Sequence, residues 1–139
     1  MQKKILIVDD DKDLLDVLGR YLRDHGFSTT AARDGAEGLA VIKDFRPDVV
    51  ITDAQMPGMD GFAFCRKLRE NRASASIPVI IMSGKKTTES DILSGYDRGT
   101  DDYVIKPFSY PVLLAKIGAV IRRAGAGARP AKQVFKKFG

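Results

Sequence analysis

The sequence predicts an α/β fold: a doubly wound, five-stranded parallel sheet with five helices. Two observations predict it. Short apolar runs alternate with amphipathic stretches along the 139 residues, and polar residues that suit one shared site follow four of the runs. Strict alternation of strands and helices favours a parallel sheet covered on both faces, and the length suits one globular domain.

The predicted strands are short, apolar and bounded by polar clusters. Continuous runs of this kind are typical of strands that are buried on both faces of a parallel sheet. The run at 27–32 is the weakest of the candidates. The five predicted strands are Ile5–Val8, Phe27–Ala32, Val49–Ile51, Val79–Met82 and Tyr103–Ile105.

The first two predicted helices have apolar residues at helical spacing. The first helix ends near Gly26, a suitable C′ residue, and one of its faces holds Leu14, Leu15, Leu18 and Leu22. The second covers residues 35–45, and we expect its inward side to hold Ala36, Leu39 and Ala40.

Three further helices are predicted in the second half of the chain. One covers residues 60–71 with Asp60 as its N-cap. A poorer helix spans about 88–96. The last begins after Ser109, has Pro111 in its first turn and runs to about Arg123.

The net charge of +5 is concentrated at the carboxyl terminus. The last 18 residues hold six basic residues and no acid, whereas residues 1–121 hold 17 basic and 18 acidic residues. We therefore predict a domain at 1–123 and a basic flexible tail or linker at 124–139. The sequence of the nearly neutral body gives no sign of a broad basic surface for nucleic acid, so contact with nucleic acid is expected only indirectly or through the tail.

The single cysteine, Cys65, cannot form an internal disulfide, which fits a reducing cytoplasm. The apolar run after the first four residues ends at three aspartates, so a signal peptide is not predicted. No run approaches the length that crosses a bilayer. We expect a cytoplasmic protein without membrane insertion.

Polar residues follow four of the predicted strands: Asp9-Asp10-Asp11 the first, Asp53 the third, Ser83 the fourth, and Lys106-Pro107 the fifth. Taken singly, these residues suit a helix cap, two turns and a surface lysine. In an open parallel sheet the carboxyl ends of the strands lie at one edge, where ligands bind. The joint pattern therefore predicts one site.

The residue types in this set suit phosphoryl transfer. Several ionised carboxylates close together repel one another and need a cation, and carboxylate and carbonyl oxygens suit Mg²⁺. A carboxylate nucleophile would form an acyl phosphate. A lysine adds positive charge at the phosphoryl oxygens, and a serine hydroxyl donates a hydrogen bond to them.

Four ordered motifs resemble one family. They are Ile5–Asp10 (ILIVDD), Asp53–Gly61 (DAQMPGMDG), Met82–Gly84 (MSG) and Asp101–Phe108 (DDYVIKPF). Together they are similar to the receiver domain of two-component response regulators, and the resemblance covers residues 3 to about 123. It implies the flavodoxin-like receiver fold.

The resemblance implies a role for each site residue. Asp53 matches the phosphoacceptor. Asp10, Asp53 and the backbone carbonyl of Gln55 match ligands of Mg²⁺, and Asp9 matches an acid that reaches the metal through water. Lys106 matches the lysine that contacts the phosphoryl group, and its peptide bond to Pro107 would be cis.

Two further residues match the switch of the family. Ser83 corresponds to the hydroxyl that moves toward the phosphoryl group, and Tyr103 to the aromatic side chain that then turns inward. These movements would alter the face made by the fourth predicted helix, the fifth predicted strand and the fifth predicted helix, which binds a partner or dimerises.

The implied function is a signalling switch that catalyses only its own phosphorylation and dephosphorylation. A histidine kinase, a phosphotransfer protein or a small phosphodonor supplies the phosphoryl group. The output is a downstream protein partner or an output domain beyond Gly139.

In the winged-helix transcription-factor branch of the family, dimers form through a charged network on the last two helices. Asp101, Asp102, Lys116 and Arg123 suit that network, but Ser94 and Val112 replace an expected base and acid.

Two other interpretations fit the sequence less well. An aspartate-nucleophile phosphatase would use an Asp-x-Asp motif after the first strand, and Asp9–Asp11 has that spacing. Replacement of Asp53 by Asn would leave such an enzyme active. A degenerate receiver that acts only as an interaction module is not supported, because all the key positions are intact.

Overall fold

The computed structural model describes residues 2–84, 90, 93 and 99–125. Five parallel strands form one sheet in the order β2-β1-β3-β4-β5. The strands are β1 (Lys4–Val8), β2 (Ser28–Ala32), β3 (Val49–Asp53), β4 (Val79–Ser83) and β5 (Asp102–Ile105). The described helices are α1 (Lys12–Asp24), α2 (Gly35–Phe45), α3 (Gly61–Glu70) and α4 (Tyr110–Gly125).

The predicted α/β fold and its parallel sheet are confirmed. Most of the predicted helix at about 88–96 and most of the predicted tail at 124–139 lie outside the described residues. Within the described part of the chain, no helix is both long enough and apolar enough to cross a membrane.

Burial distinguishes the central strands from the edge strands. All residues of β3 and β4 are buried, whereas Ser28, Thr29 and Thr30 of the edge strand β2 are half-buried. An edge strand has one neighbour and less cover, so it tolerates polar side chains. This position explains why β2 was the weakest prediction.

The sheet separates two apolar clusters, because successive side chains of a strand point to opposite faces. Ile5 and Ile7 of β1 join the cluster under α1 and α4. Leu6 and Val8 join the cluster under α2 and α3, which also includes the fully buried Cys65. The two faces account for the doubly wound arrangement.

Aspartate caps set the starts of the three helices that follow β1, β2 and β3. The Asp11 carboxylate accepts from the Asp13 and Leu14 amides at 3.0 and 3.2 Å. In the same way, Asp34 caps α2 and Asp60 caps α3. Each cap satisfies amides that the first turn of a helix leaves unpaired.

The predicted inward side of α2 is wrong in two positions. Ala36 and Ala40 are exposed and Leu39 is half-buried, whereas Gly35, Gly38 and Ile42 are buried. The cause is the close approach of α3. A Cβ atom at Gly38 would lie 3.0 Å from Cζ of Phe64. The helix packs on Gly38 because only a glycine leaves room for this ring.

Asp102, which suited the charged dimer network, forms an ion pair inside the chain. Lys116 of α4 donates to its Oδ1 at 3.0 Å.

The last helix, α4, begins after Ser109 as predicted. It ends at Gly125, two residues beyond the predicted end.

Candidate functional site

The four polar sets meet at the carboxyl edge of the sheet. Asp53 and Ser83 are the last residues of β3 and β4, and Asp53 lies in register with Met82 of the neighbouring strand. Asp9 directly follows β1, and Lys106 directly follows β5. Parallel strands in register therefore bring residues up to 97 positions apart into one site.

Three carboxylates form the centre of the site. Oxygen atoms of Asp9, Asp10 and Asp53, one from each, all lie within 4.8 Å of one another. Asp9 is 1% exposed and Asp53 8% exposed, while Asp10 is open to solvent. The cluster is therefore buried on one side and accessible on the other.

Lys106 bridges the two buried carboxylates. Its Nζ lies 2.8 Å from Oδ2 of Asp9 and 3.2 Å from Oδ1 of Asp53. Its backbone amide donates to the carbonyl oxygen of Ser83 at 2.6 Å, and its peptide bond to Pro107 is cis. The lysine is thus held to both β4 and the carboxylates.

The aspartates after β1 have separate roles. Oδ1 of Asp9 accepts from the Asp11 amide at 2.9 Å, and its Oδ2 accepts from Lys106. Asp11 is the N-cap of α1, so the simple capping interpretation is correct for this residue. Asp9 and Asp10 remain as the acids of the site.

The electrostatics of the cluster are unbalanced. Burial raises the pKa of Asp53, the charge of Asp9 raises it further, and Lys106 only partly opposes these effects. For Lys106, burial acts to lower the pKa, but the hydrogen bond and charge of Asp9, with those of Asp53, outweigh it and raise the pKa. The carboxylates therefore repel one another despite the lysine.

The donor set fits a divalent cation. Three ionised carboxylates and one ammonium leave two excess negative charges in a partly buried site. Hard oxygen donors are the ligands that Mg²⁺ prefers. Gln55, whose backbone carbonyl the resemblance implies as a ligand, lies in the exposed loop two residues after Asp53.

Ser83 and Tyr103 occupy buried positions on neighbouring strands. The Ser83 hydroxyl is fully buried and has no hydrogen-bond partner among the described residues. The Tyr103 side chain is 8% exposed and belongs to the apolar cluster on the α2–α3 face. Ser83 therefore holds an unused hydrogen-bond donor beside the site. A buried hydroxyl without a partner costs free energy of folding.

Gly61 supports the loop that follows Asp53, a role that the sequence analysis missed. Its amide donates to the carbonyl of Ala54 at 2.9 Å. A Cβ atom at this position would collide with the backbone carbonyl oxygen of Asp53. The glycine lets α3 begin directly beneath Asp53, the candidate phosphoacceptor. The sequence feature that could have indicated this role is the position of Gly61 directly after the N-cap residue Asp60.

The sequence profile of the family described as "Response regulator receiver domain" matches residues 5–118. The chain belongs to this family. The profile covers the five strands, apart from Lys4 at the start of β1, and the first half of α4.

Curated relatives of this receiver domain include DNA-binding response regulators. It is 40% identical over 123 residues to the DNA-binding response regulator MtrA of Mycolicibacterium smegmatis, covering 88% of this chain and 52% of that protein. It is 38% identical to the transcriptional regulatory protein CseB of Streptomyces avermitilis, over 93% of this chain and 53% of that protein. The chain thus spans about half the length of these relatives.

Solved receiver domains have the same fold. The CheY-like receiver domain protein of Methanospirillum hungatei superposes with a TM-score of 0.84 at 27% identity, covering 92% of this chain and 100% of that one. The chemotaxis protein CheY4 of Vibrio cholerae gives a TM-score of 0.81 at 30% identity, covering 86% and 99%.

Proposed function

We propose that this receiver domain is a phosphorylation-activated switch and that Asp53 accepts the phosphoryl group. A histidine kinase or a phosphotransfer protein is the proposed donor. The observation that carries the proposal is the cluster of Asp9, Asp10 and Asp53 within 4.8 Å, with Lys106 bridging two of these carboxylates.

The contacts of Asp9 and Asp53 favour Asp53 over Asp9 as the nucleophile. Both oxygens of Asp9 accept hydrogen bonds, from Asp11 and Lys106, so Asp9 is less able to attack. The described ion pair of Asp53 uses Oδ1, and we assign Oδ2 as the attacking oxygen. Attack on phosphorus forms an acyl phosphate and releases the donor's histidine nitrogen or other leaving group.

The proposed magnesium ligands are Asp10, Asp53 and the backbone carbonyl of Gln55, with Asp9 reached through water. When bound, Mg²⁺ would neutralise charge on the carboxylates and on the arriving phosphoryl oxygens. Asp10, as the exposed acid of the cluster, would hold the ion on the solvent side.

Lys106 and Ser83 would stabilise the phosphorylated state. The ammonium already lies 3.2 Å from Asp53, so it is placed to pair with a phosphoryl oxygen. The buried Ser83 hydroxyl has an unused donor, which a phosphoryl oxygen can satisfy. Movement of Ser83 would leave room for Tyr103 to change its packing, which would alter the face made by β5 and the neighbouring helices.

The output of this switch is proposed to be protein binding or dimerisation rather than turnover of a separate substrate. Phosphorylation replaces the single charge of the Asp53 carboxylate with an acyl phosphate that carries close to two negative charges, in a site that already holds excess negative charge. The domain proposed for this role is residues 1–123, with 124–139 as a tail or linker.

The experiment is intact-mass analysis after incubation with Mg²⁺ and acetyl phosphate. We expect the mass of one added phosphoryl group, which hydroxylamine removes because it cleaves acyl phosphates. Asp53→Asn and chelation of Mg²⁺ should both abolish the gain, while the exposed control Asp44→Asn keeps it. Modification of Asp53→Asn at the wild-type rate would contradict the assignment and favour a phosphatase that uses Asp9.

A second candidate function is the receiver portion of a larger DNA-binding regulator. The observation that favours it is the coverage, since the chain spans 52% of MtrA and 53% of CseB. A reading frame that continues past Gly139 into a further domain would support this candidate. A stop codon directly after Gly139 would contradict it and leave a stand-alone switch.

A further inference from the structure

A groove of about 790 Å³ lies between the carboxyl-terminal ends of α2 and α3. Both helices begin at the carboxyl edge of the sheet, so their ends lie at the opposite edge from Asp53. The groove is therefore remote from the phosphoacceptor candidate, and neither the charge cluster nor the switch residues line it.

The floor of this groove is apolar. Ile42 is 7% exposed and Leu68 is 1% exposed, and the partly buried Leu39 and Ile77 pack against the same cluster. Small-molecule sites are usually concave, apolar pockets with a volume of several hundred cubic ångströms. The floor can cover an alkyl chain or a ring.

The rim of the groove is mainly basic. Lys43 and Arg46 lie on the α2 side and Lys67 on the α3 side, with Glu70 as the acidic lining residue. All four side chains are exposed. The rim carries two excess positive charges beside an apolar floor, and this combination complements a ligand with an anionic head and an apolar body.

The carboxyl-terminal ends of α2 and α3 repel an anion less than helix ends with unpaired carbonyls would. The last carbonyls of a helix carry partial negative charge. Here the carbonyl of Ile42 accepts from the Arg46 amide at 3.0 Å, and the carbonyl of Leu68 accepts from Oγ of Ser74 at 2.8 Å. These internal bonds offset part of the negative charge of the helix ends, and the rim side chains keep their excess of two positive charges.

Arg46 has an unusual backbone for its residue type. It caps α2 with φ 50° and ψ 67°, and it is the described non-glycine residue with positive φ. Glycine or asparagine commonly fills this left-handed position because other side chains are strained there. An arginine here places a guanidinium at the rim despite that strain.

We propose that this groove binds a small anionic amphiphile, a molecule with one carboxylate or phosphate head and a short alkyl chain or ring. The head lies among the basic side chains of the rim, and the apolar body covers Leu39 and Ile42. The proposal does not depend on phosphorylation of Asp53.

The test is a titration of the ¹⁵N-labelled full chain with decanoate below its micelle concentration, followed by amide chemical shifts. We expect saturable shifts at the groove residues Leu39, Ile42, Ser74 and Ile77. Decanol should bind about tenfold more weakly, because it lacks the charge. Absence of saturable shifts, or equal binding of decanol, would overturn the proposal.

Two variants test the charge requirement. Arg46→Gly combined with Lys67→Gln should weaken decanoate binding about tenfold or more. Because glycine adopts the left-handed backbone without strain, weaker binding cannot be attributed to damage at that helix end. The control Arg20→Gln changes an exposed residue of α1, on the other face of the sheet. This variant should bind decanoate as the wild type does. Unchanged affinity in the double variant would also overturn the proposal.

A membrane lipid could offer the same head and tail. Vesicles of phosphatidylglycerol and of phosphatidylcholine, in a sedimentation assay, distinguish this source. The free-ligand proposal predicts decanoate binding without sedimentation on either vesicle. Sedimentation with anionic vesicles in the absence of decanoate shifts would assign the groove to a lipid surface and reject the free ligand.

Discussion

Arg69 of α3 and Asp101, the residue before β5, form an ion pair with 3.0 Å between Nη2 and Oδ2. The same guanidinium donates to the carbonyl oxygens of Ala75, Ile77 and Gly99. Oδ2 of Asp101 also accepts from the Val79 amide at 2.8 Å. One side chain thus joins the end of α3 to the chain segments that precede β4 and β5.

Arg69→Met should lower the free energy of unfolding by about 3 kcal/mol, because it leaves a mostly buried carboxylate without its cation. Urea denaturation measures the change. Arg66→Met, an exposed neighbour on the same helix, is the control and should change stability by about 0.5 kcal/mol or less. A similar small effect for Arg69→Met would show that the pair contributes little.

Gly61→Ala should destabilise the fold and slow phosphorylation of Asp53. The new Cβ atom would collide with the Asp53 carbonyl oxygen, so the loop must shift, at a cost of roughly 1–3 kcal/mol. Thermal unfolding and the rate of modification by acetyl phosphate measure the two effects. Gly118→Ala within α4 is the control, and it should be neutral or stabilising by about 0.5–1 kcal/mol. Wild-type behaviour of Gly61→Ala would mean that the close approach is easily relaxed.

Asp53→Asn should raise the free energy of unfolding at pH 7 in the absence of Mg²⁺. The folded-state pKa of Asp53 is raised by burial and by Asp9, so its ionisation opposes folding above that pKa. The cost disappears as pH falls toward the ordinary value of 3.8. Asparagine cannot ionise, and the gain from the substitution should therefore shrink between pH 7 and pH 4.

Urea denaturation across this pH range measures the dependence, with the exposed Asp44→Asn as the control. Mg²⁺ should reduce the difference at pH 7, because the cation stabilises the wild-type carboxylates. A variant that is less stable than wild type at pH 7 would show that the contact with Lys106 outweighs burial and repulsion.

Lys106→Gln should tighten Mg²⁺ binding while lowering stability without the metal. The ammonium lies 2.8 Å from Asp9 and 3.2 Å from Asp53, and its loss leaves a more negative cluster for a cation. We expect affinity to rise by about tenfold, and a Mg²⁺ titration followed by amide chemical shifts measures it. Lys116→Gln, which removes the pair with Asp102, should leave Mg²⁺ affinity unchanged. Weaker Mg²⁺ binding in Lys106→Gln would contradict the electrostatic argument.

The sequence by itself determined the strands, most helices and the residues gathered at the sheet edge. These features have local causes: apolar runs identify buried strands, and Asp60 begins a helix because its carboxylate caps nearby amides. The convergence of Asp9, Asp53 and Lys106 follows from topology, since parallel strands present their carboxyl ends on one side.

The tertiary structure alone decided which helix side faces the core and which distant charges pair. Ala36 is more apolar than Gly38, yet Gly38 is inward because the Phe64 ring packs there. Arg69 and Asp101 are 32 residues apart, and no local pattern connects them. Close packing and ion pairing depend on distances between elements, and those distances exist only after the chain has folded.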